Sequence, residues 1–400
     1  MKILFLTDNF PPEVNAPATR TYEHCKQWVK LGVDVTVITC FPNFPLGKLF
    51  DGYKNRLYQK DEIDGIKIIR VWTYITKNKG FFKRSLDYFS FAVSSFIVGL
   101  FVKTDIIIAT SPQFFTTWSG WALSKIKRKP WIFELRDLWP ESIKAVGATK
   151  NERLIKFLEK IELRLYKSAN RVVSVTDSFK QNLIKRGIND KKIEVIYNGA
   201  NLDLFYPMPK STNLVKRLDL QNKFVVGYIG THGMAHGLDF ILKSIKNLEK
   251  EFHFLFIGDG AEKENLLKLK DRLGLKNVTF LNPIKKEDVP KYLSVCDVSL
   301  VPLKKSDTFK TVIPSKIFES SAMQIPILLG VEGEVKSIIE RYKAGVCFEP
   351  ENKDDFLKSL HIIKEKHSLF LEGCRQLALN FDRKKLALKM LNILKEVANE

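Results

Sequence analysis

Short apolar runs, each followed by a stretch with helical spacing, recur along this 400-residue chain, and the pattern stops once and then restarts. In the first half the runs are Lys2–Thr7, Val33–Thr39, Lys67–Trp72, Ile106–Ala109, Trp131–Leu135 and Arg171–Val175. Between the first two, Tyr22, Trp28, Val29 and Leu31 share a helix face, and Gly32 ends the helix. Glu152–Ser168 reads as a long amphipathic helix. Strands alternating with helices in this way predict a parallel, doubly wound sheet. The turn-rich Tyr197–Asn201 and the Pro-rich Tyr206–Pro209 mark a linker. The pattern resumes with strands at Phe224–Ile229, Phe252–Ile257, Val278–Leu281, Val298–Pro302, Ile325–Leu329 and Val346–Phe348. Helices are expected over Leu238–Leu248 and Ala261–Leu273. A chain of this length exceeds one core, so two domains are expected, 1–205 and 206–381. Both read as α/β, doubly wound and Rossmann-like. Ligands of such sheets bind beyond the C-terminal strand ends, so two facing halves would place a site in the cleft between them. Closure of that cleft would exclude water.

Charge narrows the partners. The net charge is +20, and residues 1–205 hold 33 Lys and Arg against 20 Asp and Glu. An acidic partner is therefore expected, chiefly on the first half. Nucleic acid is disfavoured, because the basic residues spread over many helices with no aromatic platforms interleaved. The five cysteines, Cys25, Cys40, Cys296, Cys347 and Cys374, are scattered, with no Cys-x-x-Cys and no zinc-type spacing. That reads as a reduced, cytoplasmic chain without a metal site. The start, Met1 to Asp8, reads as a first strand and not as a signal peptide. No apolar run reaches spanning length. Phe89–Val102, flanked by Lys83, Arg84 and Lys103, is about the length of a buried core helix or an interfacial one, and either suits the pattern.

Several loops at strand ends carry groups suited to phosphate and sugar. Pro314-Ser315-Lys316-Ile317-Phe318-Glu319 reads as the start of a helix, with Pro314 in its first turn. Free N–H groups there bind anions, and Glu319 lies on the face of Ser315. A phosphate at the helix start would leave the Glu319 carboxylate near a sugar diol. The plain alternative is a capped helix with a solvated Glu. Gly230-Thr231-His232-Gly233-Met234-Ala235-His236-Gly237 combines three glycines, which let backbone approach phosphate, with two histidines able to donate hydrogen bonds. Gly258-Asp259-Gly260 is a tight turn. Lys304, Lys305 and Lys310 follow a strand and could reach phosphate or simply meet water. In the first half, the long loop Asp8–Ala18 follows the first strand. Glu134, Arg136, Asp137, Trp139 and Glu141 form the densest polar cluster, a candidate substrate floor or a surface ion pair.

Taken in order, these motifs resemble the family 4 retaining glycosyltransferases of the GT-B fold, over nearly the whole chain. Phe10-Pro11-Pro12-Glu13 is similar to the family's first loop, and Val195–Phe205 to its interdomain motif. Phe256–Gly260 is similar to its glycine turn, and Pro314–Glu319 to its donor segment. Arg136–Ser142 and Gly230–Gly237 resemble bacterial O-antigen and capsule enzymes, N-acetyl-L-fucosamine transferases among them. The resemblance implies GT-B architecture, with two Rossmann-like domains facing a cleft and a C-terminal helix, 382–400, rejoining the first domain.

The resemblance also implies a reaction and its residues. A hexose or N-acetylated (deoxy)hexosamine would pass from a nucleotide-diphospho-sugar, a UDP-sugar by expectation, to a polyprenyl-diphosphate-linked saccharide. That would occur at the inner face of the cytoplasmic membrane, without cofactor or metal. The donor would meet Gly230, His232, Gly233, His236, Gly258, Val312, Ile313, Ser315 and Lys316. Glu319 would hold the ribose, and Pro283 and Ile284 the base. Asn15 and Ala16 of the first-domain loop would face the diphosphate and the acceptor. Glu134, Trp139 and Glu141 would serve the acceptor, and Asp137, Arg136 and His236 the chemistry. The chain departs from the family pattern at four places. Thr311 stands where a second Glu is usual, Thr231 and His236 where an Arg and a Lys clamp the diphosphate, Arg136 or its neighbour where a His is usual, and Asn15-Ala16 where two glycines are. An epimerase of sugar nucleotides on the same architecture is the alternative, though the chain offers few of the carboxylates it needs.

Overall fold

The structure is a computed structural model that describes residues 1–44, 47–76, 81–111, 113–138 and 152–400. It divides into two compact units, Met1–Tyr197 with Lys384–Glu400, and Asn198–Arg383. The change of unit thus comes before residue 205, where the sequence placed it. The reason is a backbone tie inside the second unit: Ala200 N–H donates to Phe381 O at 3.1 Å, and Arg383 N–H donates to Ala200 O at 2.9 Å.

The first unit contains β1 (Lys2–Leu6), α1 (Ala16–Lys30), β2 (Asp34–Cys40), β3 (Tyr58–Ile63), β4 (Ile66–Val71) and α2 (Phe81–Gly99). These are followed by β5 (Ile106–Thr110), α3 (Phe114–Lys127), β6 (Trp131–Leu135), α4 (Glu152–Ser168), β7 (Arg171–Ser174), α5 (Asp177–Lys185) and β8 (Ile193–Val195). The sheet order is β3-β4-β2-β1-β5-β6-β7-β8. All pairs are parallel except the β3–β4 hairpin at one edge. Chain direction across the sheet reverses between β1 and β5, the crevice where such sheets bind ligands. Every residue of β5 and β6 is buried, as expected of parallel strands covered on both faces. The C-terminal helix, Arg383–Asn399, completes one face. It packs Met390, Leu391, Leu394 and Val397 against Phe5, Trp28 and Val35, and Trp28 Nε1–H donates to Ala387 O at 2.8 Å.

The second unit contains α6 (Thr212–Arg217), β9 (Phe224–Ile229), α7 (Leu238–Ser244), β10 (Phe252–Ile257), α8 (Lys263–Leu273), β11 (Val278–Leu281), α9 (Val289–Leu293) and β12 (Val298–Pro302). It closes with α10 (Lys316–Ala322), β13 (Ile327–Gly330), α11 (Glu334–Tyr342), β14 (Gly345–Cys347), α12 (Lys353–Glu365) and α13 (Leu371–Asn380). Its sheet is wholly parallel, in the order β11-β10-β9-β12-β13-β14. The order again reverses between its first and fourth strands, β9 and β12. The loops after these two strands therefore flank the unit's ligand crevice. β10, Phe-His-Phe-Leu-Phe-Ile, is buried along its whole length.

The C-terminal helix is held to the first unit by apolar burial. Leu394 is fully buried within that cluster. Leu394→Ala should cost about 2–5 kcal/mol, read as a lowered urea midpoint of the first unit's transition.

Candidate functional site

The strand-end loops of the second unit are pressed together by glycine. Gly258, after β10, has φ +147, and a Cβ built on it would lie 1.9 Å from Gly230 O at the end of β9. No other residue fits that approach. Around it, Gly230 N–H donates to Ile257 O at 2.8 Å, His232 N–H to Asp259 O at 2.8 Å, and Glu262 N–H to His232 O at 2.9 Å. Lys263, on α8, donates to Gly258 O at 2.7 Å, Leu281 O at 3.1 Å and Asn282 Oδ1 at 3.0 Å, fastening the ends of β10 and β11. Across the crevice, Lys304 N–H donates to Ala235 O at 2.9 Å, so the loop after β12 is tied to the loop after β9. Gly233 precedes the single 3-10 turn that carries His236.

Aromatic and basic side chains gather on Tyr228, whose hydroxyl donates to Thr231 O at 2.6 Å. The His232 ring centroid lies 5.8 Å from its ring, and that of His236 6.0 Å. The Lys316 ammonium stands 3.5 Å over its centroid. His232 is fully buried, and neither ring nitrogen has a hydrogen-bond partner among the described residues. Burial, helped by Lys263 and Lys316, pushes the His232 pKa down to about 4. Burial and Lys316 do the same to His236, also to about 4. Both imidazoles are therefore neutral near pH 7, able to donate hydrogen bonds but not to supply charge. His236, in the place of a clamp lysine, carries no charge near neutrality.

The donor segment starts later than Pro314 suggested. α10 begins at Lys316 with Ser315 as its cap residue, and the Ser315 side chain makes no capping bond. The first bonds of the turn are Ile317 N–H to Pro314 O at 3.2 Å and Phe318 N–H to Ser315 O at 3.1 Å. The amides of Ile313, Ser315 and Lys316 precede them and have no hydrogen-bond partner among the described residues. The Val312 amide, expected to serve as well, is already donated to Phe309 O at 3.2 Å. Glu319 was expected to be free for a sugar diol. It is instead ion-paired with Lys286, whose ammonium also lies 4.9 Å from the Phe205 ring centroid. A ribose here must share Glu319 with Lys286 or displace it. Pro283 and Ile284, just upstream, line an open depression of about 390 Å³ with Arg217, Lys285 and Tyr292.

The first unit places its predicted residues differently. Asn15 caps α1, its Oδ1 accepting from Ala18 N–H at 2.9 Å. Its amide donates to Asn9, whose amide in turn donates to Asp8. Asn15 is thus fixed at the helix start, with Ala16 next to it as the first helical residue. Asp8 is buried and its Oδ1 has no partner among the described residues. Burial first, then Glu13, raises its pKa to about 7. Burial also raises Asp87, on α2, to about 7. The sequence offered one signal for Asp8, a carboxylate just past a buried strand, and none for Asp87 or Lys286.

Glu134 was expected at the acceptor and is not available to one. It is 1% exposed and paired with Arg20, equally buried, at 3.0 Å. Arg20 also donates to Tyr197 O at 2.7 Å and Ile196 O at 2.9 Å. Arg136 is nearly buried and donates to Pro17 O at 3.2 Å, while its amide donates to Ser111 Oγ at 2.9 Å. Asp137 is exposed beside it. Trp139 and Glu141 lie outside the described residues.

Both units match known protein families. Residues 17–204 match the model of Glycosyltransferase Family 4, and residues 210–375 that of Glycosyl transferases group 1. The chain is a GT-B glycosyltransferase. It is 25% identical to the colanic acid biosynthesis glycosyl transferase WcaI of Escherichia coli over 384 residues, 92% of this chain and 94% of the relative. It is 27% identical over 201 residues to the teichuronic acid biosynthesis glycosyltransferase TuaH of Bacillus subtilis, 49% of each. Among solved structures, the glycosyltransferase matches a sucrose-phosphate synthase of Thermosynechococcus elongatus with a TM-score of 0.79 at 16% identity, covering 99% and 98% of the two chains. It matches the Anabaena protein HepE in complex with UDP-glucose with a TM-score of 0.72 at 17% identity, covering 99% and 100%.

Two substitutions test the assignments of this site. Arg20→Ala leaves Glu134 buried without its partner and should cost about 3–5 kcal/mol, seen in chemical denaturation. Gly258→Ala should separate the loops after β9 and β10, lowering the thermal midpoint and weakening nucleotide binding together.

Proposed function

We propose that this glycosyltransferase moves a hexose or an N-acetylated (deoxy)hexosamine, with retention, from a UDP-sugar to a polyprenyl-diphosphate-linked saccharide in surface-polysaccharide synthesis. The observation that carries the donor half is the crevice between β9 and β12. There, backbone brought close by Gly230 and Gly258, neutral His232 and His236, open amides from Ile313 to Lys316, and Glu319 meet at one sheet edge. Amide and imidazole donors of this kind stabilise a departing diphosphate while positive charge develops on the sugar. The ribose diol falls to Glu319, with Lys286 released or shared, and the base to Pro283 and Ile284. On the first unit, Arg136 and Asp137 are assigned to the chemistry, together with His236 of the second. The relatives named for colanic and teichuronic acid biosynthesis favour a polysaccharide pathway.

The membrane side of the proposal rests on α2. One of its faces is core: Phe91, Ala92 and Ser95 are buried against the first unit. The other carries Leu86, Phe89, Val93 and Ile97 in helical register, with Phe89 50% and Ile97 51% exposed, and Phe101, 84% exposed, just beyond the helix. The buried-helix alternative thus describes one face, and the interfacial alternative is proposed for the other. Lys83 and Lys103 flank the stripe, and Trp121 and Ile126 on α3 are exposed as well. An apolar stripe with lysines at its ends suits the interface of an anionic bilayer. Among the described residues no helix is long and apolar enough to cross a membrane.

The direct test is transfer of radiolabelled sugar from UDP-sugars to lipid-linked saccharide by the purified protein. Glu319→Ala should lower kcat/KM roughly 10- to 100-fold, the worth of one or two hydrogen bonds to a charged group, mainly through the donor KM. Unchanged kinetics would remove Glu319 from the donor site. Activity should survive EDTA, since amides and cationic side chains are assigned the work of a metal. In flotation assays the protein should rise with anionic vesicles, and Phe89→Ser/Ile97→Ser should abolish this. Equal absence from anionic and neutral vesicles would reject the membrane assignment.

A further inference from the structure

The donor edge of the second unit holds a cation with no counter-ion. Lys316 reaches from the start of α10 to the end of β9, where a methyl group built on Gly230 would lie 2.8 Å from its Nζ. On its other side the ammonium lies 3.5 Å from the Tyr228 ring centroid. Among the described residues no carboxylate is within ion-pair distance of it. Glu319, on its own helix, is the carboxylate whose charge it feels, and that group is paired with Lys286. The lysines that the sequence nominated for phosphate differ. Lys305 is paired with Glu349 at 2.6 Å and Lys310 with Asp307 at 2.7 Å. Lys304 is solvent-exposed, so water weakens its pull on an anion.

A partly buried cation with no counter-ion is costly unless an anion joins it. The aromatic face of Tyr228 offsets only part of that cost. We propose that Lys316 is the counter-ion of the donor's diphosphate and takes up a proton as the diphosphate arrives. It would do the work of the basic pair whose places Thr231 and His236 occupy. The inference rests on the donor reading above and adds a charge mechanism to it.

The surroundings set the direction of the effect. Burial pushes the free Lys316 pKa down to about 7, against a small opposing pull from Glu319. The other groups facing it are Tyr228 on β9 and His232 and His236 in the next loop. The histidines titrate well below neutrality and the Tyr228 hydroxyl well above it. Between pH 7 and 8.5, Lys316 is therefore the group of this set that changes charge. A diphosphate stabilises the ammonium, so the bound pKa rises. Binding then draws in a proton at pH values between the free and the bound pKa.

The experiment is titration calorimetry of the full chain with UDP and with uridine at pH 8, in buffers of different ionisation enthalpy. Wild type should take up about 0.9 proton per UDP bound, the neutral fraction of a group with pKa near 7. It should take up none with uridine, which keeps base and ribose but has no phosphate. Lys316→Arg, charged throughout, should bind UDP with no uptake. Lys316→Met should lose at least tenfold in UDP affinity and keep its uridine affinity, which reports an intact nucleoside site. UDP binding by wild type without proton uptake would overturn the proposal, as would the same uptake in Lys316→Arg. Failure of wild type to bind either UDP or uridine would overturn the donor reading itself, and that outcome is distinct from the others.

Discussion

Everything at the donor edge of the second unit depends on how closely two strand-end loops approach each other. Gly258 places its Cα against Gly230 O, nearer than any side chain allows. That contact sets His232 under Asp259 and Glu262, and brings the β9 end within reach of Lys316. The approach exists because β9 and β10 are adjacent parallel strands in register from Phe224 with Phe252 to Ile229 with Ile257. Both end on the same sheet edge. A parallel sheet collects all its functional loops at one edge, and a reversal of strand order opens a crevice there. The second unit uses that crevice for a ring of donors arranged around Tyr228.

The polar chemistry of the two units follows opposite logics. In the second unit, burial removes charge: two imidazoles are held neutral and one lysine is brought close to neutrality. Neutral donors and a lysine without a counter-ion keep such a site receptive to an anion. In the first unit, burial is met by pairing. Arg20 and Glu134 satisfy each other while Arg20 clamps the chain after β8 through two carbonyls. Asp8 stands between these cases. It is buried, hydrogen-bonded on one oxygen through the Asn9–Asn15 chain, and raised toward neutrality.

Much of the fold was legible because parallel strands announce themselves. Phe252–Ile257, Trp131–Leu135 and Val298–Pro302 were read at their observed bounds, since a strand buried on both faces is a continuous apolar run. β3 was missed for the converse reason: Tyr-Gln-Lys-Asp-Glu-Ile is an edge strand with half of its residues in water, and its charges hide its alternation. α7 stops at Ser244, short of the helix read to Leu248. At the site, residue types and spacing nominated loops that the fold brings to one sheet edge, but spacing along the chain does not reveal partners. Glu134 looked like a substrate group because Arg20 is 114 residues away. Glu319 looked free because Lys286 is 33 residues upstream. Lys316 was named for the donor by resemblance alone, because the groups around its ammonium, Tyr228 and Gly230, belong to another strand end.

The central claim is that a sugar nucleotide's diphosphate and ribose occupy the crevice between β9 and β12. A crystal structure of the protein with UDP tests it most directly. The account predicts phosphate oxygens within hydrogen-bond distance of the Ser315 and Lys316 amides and of Lys316 Nζ, with both ribose hydroxyls on Glu319 and the Lys286 pair opened or shared. UDP bound elsewhere, with Glu319 still closed on Lys286 and Lys316 still without an anion, would contradict it.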